Sequence, residues 1–128
     1  MNDINSKIIY KDESYEIMSV CFDVYNELGN GFLEIVYKDA IEKEFIARKI
    51  PYVREKLFAP NFKGQPLKRK FPVDFEVYGK IILEVKAISE LIQRFKTQTF
   101  NHLRTTKYKL GILVNFGEES LKYKRIVY

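Results

Sequence analysis

The hydrophobic residues of this chain keep a helical period up to Pro51 and a strand period beyond it, and that change decides most of what the chain can fold into. Between Glu13 and Leu28 the apolar positions Ile17, Val20, Cys21, Val24 and Leu28 recur at helical spacing and mark one face of a helix. Gly29-Asn30-Gly31 stops it, because glycine and asparagine tolerate the left-handed conformation that closes a helix. A second stripe, Leu33, Val36, Tyr37, Ala40, Ile41 and Phe45, predicts a helix from Leu33 to Lys49 that Pro51 prevents from continuing. Ahead of both, residues 1–12 read as a loosely ordered arm.

Beyond Pro51, residues 52–58 form a candidate strand and Asn61 to Pro66 a turn. Phe71, Val73, Phe75 and Val77 then alternate with Pro72, Asp74, Glu76 and Tyr78, which predicts a strand with one buried face. Tyr78-Gly79-Lys80 reads as a hairpin turn, and Lys80 to Ala87 returns with Ile81, Leu83 and Val85 continuing the apolar face. Ser89 is placed to cap a helix to about Thr106, with Leu91, Ile92, Phe95, Thr99 and Leu103 as its stripe. Lys109 to Phe116 and Lys122 to Tyr128 are the last two strands. The order α-α-β-β-β-α-β-β predicts an α/β fold with a mixed sheet of about five strands flanked by helices. The strands on either side of the third helix should be parallel, joined by a right-handed crossover. With 128 residues and neither repeats nor low-complexity tracts, residues 1–128 read as one domain.

Composition narrows the chemistry. One cysteine, Cys21, and one histidine, His102, leave no disulfide framework and no cysteine- or histidine-rich metal site, so a metal here must be held by oxygens. Residues 1–50 carry 6 Lys/Arg against 10 Asp/Glu, and residues 51–128 carry 16 against 7. The basic excess of the C-terminal part suits a polyanionic partner such as nucleic acid. No apolar run is long enough to cross a membrane, and the start Met1-Asn2-Asp3-Ile4 has nothing of an export signal. A cytoplasmic protein with reduced Cys21 and no membrane partner is expected.

The hairpin around Gly79 carries the most informative charges. If the turn is centred on that glycine, Asp74 lies across from Glu84, and both share a face with Lys86. Two carboxylates held about 5 Å apart repel unless a cation lies between them, and a hard divalent ion such as Mg²⁺ or Mn²⁺ suits that place. The Lys86 ammonium, two residues on, can orient a water or stabilise charge on a phosphate. The same residues on a solvated face would be an ordinary surface ion-pair group. Against that, Ile81-Ile82-Leu83-Glu84-Val85-Lys86-Ala87-Ile88 is apolar enough for a central strand.

At this point the chain resembles a family. Gly31-Phe32-Leu33-Glu34-Ile35-Val36-Tyr37 is similar to the G-x-x-E-x-x-Y signature of the GxxExxY proteins, a family within the PD-(D/E)XK nuclease-like superfamily. Val73-Asp74-Phe75, Leu83-Glu84-Val85-Lys86-Ala87, a helix with Gln98, and Leu110 to Gly117 follow in the family's order. The resemblance implies a restriction-endonuclease-like core that cuts phosphodiester bonds. It makes Asp74 and Glu84 metal ligands, with the Val85 carbonyl as a further one, and Lys86 the residue assisting the attacking water. Glu34 becomes an acid at the site edge and Gln98 a polar residue from the following helix. Two features depart from the pattern: Val73 separates Pro72 from Asp74, and His102 stands where tyrosine is common.

Each supporting residue has a plainer reading. Glu34 can serve the helix dipole, Tyr37 can be core, Gln98 can be surface, Lys68-Arg69-Lys70 can be a solvated edge, and Asn115-Phe116-Gly117 can be a strand end. Beside the nuclease stand a non-catalytic nucleic-acid-binding or protein-interaction module with the same fold, and a hydrolase of small phosphates. No Walker-type loop supports nucleoside triphosphate use. Small nuclease domains often use two copies to cut two strands, so a homodimer stays open beside a monomer.

Overall fold

Two helices precede Pro51 and every strand follows it. The computed structural model describes residues 8–128. Helix α1 (Lys11–Leu28) and helix α2 (Glu34–Arg48) are followed by strand β1 (Tyr52–Phe58), a small hairpin β2 (Asn61–Phe62) and β3 (Gln65–Pro66), then β4 (Phe71–Val77) and β5 (Ile81–Lys86). Helix α3 (Gln93–Thr106) leads to β6 (Leu110–Asn115) and β7 (Lys122–Val127). The main sheet has the order β1-β4-β5-β6-β7; its β5–β6 pair is parallel and its other pairs are antiparallel. The five-strand mixed sheet and the parallel crossover through α3 are as expected from the sequence. The Asn61 to Pro66 turn is the tip of the extra hairpin. Of the expected arm, residues 1–7 lie outside the described residues, while Lys11 and Asp12 already belong to α1. Among the described residues no helix is long and apolar enough to cross a membrane.

The helices α1 and α2 cover one face of the sheet. Ile17, Val20, Cys21, Tyr37, Ile41 and Phe45 are fully buried there with Phe75, Val77, Ile81, Leu83, Val85, Ile112 and Val114. Each such aliphatic side chain contributes about 1.5–3 kcal/mol of burial free energy. The Gly29 N–H closes α1 on the Tyr25 carbonyl at 2.7 Å, with Gly29 at φ 68°. Leu33, expected on the buried stripe of α2, is instead its exposed N-cap. Lys38, one turn on, is buried in that helix.

Helix α3 covers the other face with a smaller cluster of Val73, Ile82 and Leu103, joined by Phe58, Phe71, Tyr108 and Ile126. It comes close because Gly111 lies beneath it: a Cβ there would be 2.9 Å from Thr99 Cγ2. The helix starts at Gln93, not at Ser89, and Ser89 caps nothing; the N-cap is Ile92 in extended conformation. Residues 87–92 are held out of helix by Asn115. Its Oδ1 accepts the Ile88 N–H at 2.9 Å, and its Nδ2 donates to the Ile88 carbonyl at 2.9 Å and to Glu118 at 2.8 Å. Gly117 packs directly on this loop, with room for no Cβ: one would fall 2.2 Å from the Ile88 oxygen.

The expected alternation along β4 fails at one residue. Phe71 and Val73 pack beneath α3, whereas Phe75 and Val77 pack beneath α1 and α2, so β4 exchanges faces at Asp74. On the neighbouring strand, Glu55 has φ 56° and drops out of the β1–β4 pairing between Arg54↔Phe75 and Lys56↔Val73. A non-glycine residue at positive φ cannot continue a regular strand, and the irregularity coincides with the face exchange.

Candidate functional site

The break at Asp74 is where the charged residues converge. The β4–β5 ladder runs Val77↔Ile81, Glu76↔Ile82 and Phe75↔Leu83 around the Tyr78-Gly79-Lys80 turn, the register that centring on Gly79 predicts. One step further the side chains replace the backbone bonds. The Val85 N–H donates to Asp74 Oδ2 at 2.7 Å, and the Asp74 N–H donates to Glu84 Oε2 at 3.2 Å. The two carboxylates are therefore interlocked through the strands that carry them, which fixes their positions more tightly than free rotamers could.

The two carboxylates do not simply share one face. Asp74 Oδ1 takes a hydrogen bond from Lys38 Nζ of α2 at 3.0 Å, while Glu84 Oε1 meets His102 Nδ1 of α3 at 2.7 Å. With Glu84 ionised, Nδ1 carries the proton and donates. His102 is further fixed by stacking on Phe71, with ring centroids 4.4 Å apart. Lys38 also pairs with Glu55. Burial works against the Lys38 charge, but the hydrogen bonds it donates to Glu55 and Asp74 outweigh it and hold the ammonium above its ordinary pKa.

Glu34, in the first turn of α2, is brought to the same place. Its carboxyl is pushed above the usual range by burial first and by the Asp74 charge next, with Lys86 and Lys38 opposing. Lys86 points from the end of β5 into a groove of about 630 Å³, shared with Arg94, Phe95, Gln98, Asn101 and His102. Its Nζ rests 4.7 Å from the Phe95 ring centre, and among the described residues it pairs with no carboxylate. Gln98 stands on the exposed side of α3 at this groove. Asp74, Glu84, Lys86 and Glu34 thus lie at one end of the β4–β5 pair, and Gln98 flanks them.

The donor set suits a hard divalent ion. Each carboxylate oxygen of Asp74 and Glu84 has one partner within the protein, and a carboxylate oxygen can accept more than one. Anionic oxygens are what Mg²⁺ and Mn²⁺ prefer. Among the described residues no group of three Asp, Glu, His or Cys side chains is drawn together around a metal position, so main-chain oxygens or water would complete the coordination. Val85 holds Asp74 through its N–H, and its side chain is buried in the core.

Lys38 and Glu55 join the site without having been singled out as parts of it, and His102, marked in the sequence as standing where tyrosine is common, reaches it through Glu84. Lys38 falls one residue after Tyr37, where an apolar helix stripe gives no reason to expect a buried charge, and Glu55 is marked only by its backbone. The signal that could have found Lys38 is its step of four from Glu34, which puts both on one helix side. Tyr37 is core, stacked on Phe116 at 4.5 Å with its hydroxyl donating to the Gly29 carbonyl at 2.6 Å. Lys68-Arg69-Lys70 is an exposed run ahead of β4.

Residues 11–126 match the family described as the PD-(D/E)XK nuclease superfamily. No curated protein matches the chain. Two solved structures are similar. The crystal structure of SSO0001 aligns with a TM-score of 0.55 and 20% identity, over 72% of this chain and 49% of that one. An alkaline exonuclease from Laribacter hongkongensis aligns with a TM-score of 0.48 and 12% identity, over 67% of this chain and 51% of that one. The chain thus spans about half the length of either protein.

Proposed function

The chain belongs to the PD-(D/E)XK nuclease superfamily, and on that premise we propose that it is a metal-dependent nuclease, hydrolysing phosphodiester bonds of DNA or RNA and working as one domain. The observation that carries this reading is the interlocked Asp74–Glu84 pair beside Lys86, which has no carboxylate partner among the described residues and opens onto a groove. Its GxxExxY character rests on Gly31, Glu34 and Tyr37.

Asp74, Glu84 and the Val85 carbonyl are the proposed ligands of Mg²⁺ or Mn²⁺. When bound, the ion supplies Lewis-acid polarisation of the phosphoryl group. The chain's own residues do the rest. Lys86 Nζ, held over Phe95, orients the attacking water and stabilises charge developing on the phosphate. Glu34, whose carboxyl burial and the Asp74 charge hold above its usual range, is placed to exchange a proton at the site edge. His102 fixes the Glu84 carboxylate from the α3 side, so it positions a ligand rather than reacting. Gln98 offers an amide to the substrate along the groove.

The test is to incubate linear, nicked and structured DNA and RNA with Mg²⁺ or Mn²⁺ and to compare the native protein with Lys86→Ala. Metal-dependent products from the native protein alone support the proposal. Salt-sensitive binding with no products on any substrate would leave the non-catalytic nucleic-acid-binding module in its place.

A further inference from the structure

Among the described residues some cations of this protein pair with carboxylates and others do not. Lys38, Arg48, Arg54, Lys56 and Lys80 all pair with carboxylates. Among the described residues, Arg94, Lys96 and Arg104 of α3 and Lys124 of β7 pair with none. The difference begins in the sequence, where residues 91–117 contain no Asp or Glu at all. Arg94 rests on the Phe95 ring and Arg104 on the Phe100 ring, but with no carboxylate to neutralise them these cations repel one another, so their clustering needs another reason.

Their placement supplies one. The Lys86 groove lies on one side of α3, and a second hollow of about 560 Å³ lies on the other, lined by Lys96, Phe100, Arg104 and Lys124. Thr97 and Asn101 line both hollows, so only short polar side chains separate them. Neither lining includes a carboxylate. Next to the second hollow, beyond Lys96 and Lys124, the surface becomes mixed in charge, with Glu90 and Glu118 beside Lys122. The hollow between α1 and α2, by contrast, is lined by Asp23, Glu27 and Glu44 as well as Lys43.

We propose that the second hollow is a phosphate-backbone subsite, through which Lys96, Arg104 and Lys124 hold the part of a nucleic-acid strand that leaves the Lys86 groove across Thr97 and Asn101. This rests on the nuclease reading and adds where the strand runs. Neutral hydroxyl and amide groups between flanking cations suit a backbone whose charges are spaced along its length.

The experiment measures binding of fluorescently labelled single-stranded and duplex DNA and RNA by anisotropy, in EDTA so that no cutting occurs, across a range of salt. Native protein is compared with Arg104→Ala/Lys124→Ala and with Lys43→Ala as a control on the far hollow. The double variant is expected to bind more weakly, with a slope of log affinity on log salt shallower by about 1.4–1.8, the effect of two lost phosphate contacts. Lys43→Ala should follow the native line, and Mn²⁺ binding should be unchanged in both. The DNA and RNA arms identify which strand the subsite takes. An unaltered slope in the double variant, with native cleavage intact, overturns the subsite while leaving the nuclease reading standing. Polyglutamate binding that matches the oligonucleotide and weakens in the same variant also overturns it. Absence of any native binding removes both.

Discussion

Lys38 Nζ lies 3.0 Å from Asp74 Oδ1, so the chain supplies from its own interior a positive charge beside the carboxylate proposed to hold a divalent ion. The ammonium is nearly buried, and Glu55 shares it. Glu34, Glu55 and Asp74 crowd this small region beside Glu84, and Lys38 offsets part of their repulsion. An added metal ion therefore meets a site that is already partly neutralised.

Lys38→Met should consequently bind Mn²⁺ more tightly, by about tenfold, since removing a unit charge a few ångströms away is worth about 1–2 kcal/mol at the edge of a protein. Without metal the variant should melt lower than the native protein, and Mn²⁺ should raise its melting temperature by the larger amount. Isothermal titration and a thermal melt with and without Mn²⁺ check the two halves separately.

Lys86→Ala should lower the cleavage rate by about 10²- to 10³-fold, the usual cost of removing one group aimed at developing charge. Its Mn²⁺ affinity should not fall, because Lys86 touches no carboxylate. Single-turnover cleavage at saturating metal, beside a metal titration, separates the two effects.

Asn115→Ala should destabilise the protein by about 3 kcal/mol. The fully buried amide satisfies both polar groups of Ile88 and also reaches Glu118, and truncation leaves them without partners. Urea unfolding gives the value. The same variant should slow cleavage more than it weakens metal binding, since the loop it releases leads from Lys86 into α3.

Cys21 is fully buried, and burial pushes its thiol up to about 12 from an ordinary value near 9. Thiol reagents should not modify it while the protein is folded, and one equivalent should react on unfolding. The unfolded thiol ionises first, so this contribution to stability is complete below pH 9 and is lost as pH rises towards 12. Denaturant midpoints measured from pH 8 to pH 11 should fall, and less steeply in Cys21→Ala.

The elements and the register were legible because each rests on a local rule: helical stripes before Pro51, alternation after it, and a three-residue turn at Gly79 that sets Asp74 towards Glu84. What was hidden depends on contacts far apart in sequence. The face exchange at Asp74 coincides with the positive φ of Glu55, on another strand, and nothing in Val73-Asp74-Phe75 announces it. Asn115 resembles a strand end until its partner Ile88, 27 residues earlier, is in place, and that contact is also why α3 starts three residues later than a Ser89 cap suggests. Lys38 reads as a solvated lysine because its two acids come from β1 and β4.

The central claim is that Asp74 and Glu84 together hold a divalent ion. Isothermal titration of Mn²⁺ into the native protein and into Asp74→Asn, each shown folded by its melt, tests it most directly. A saturable site in the native protein that is lost in the variant is the expected result. Equal binding by both, or none by the native protein, would contradict it.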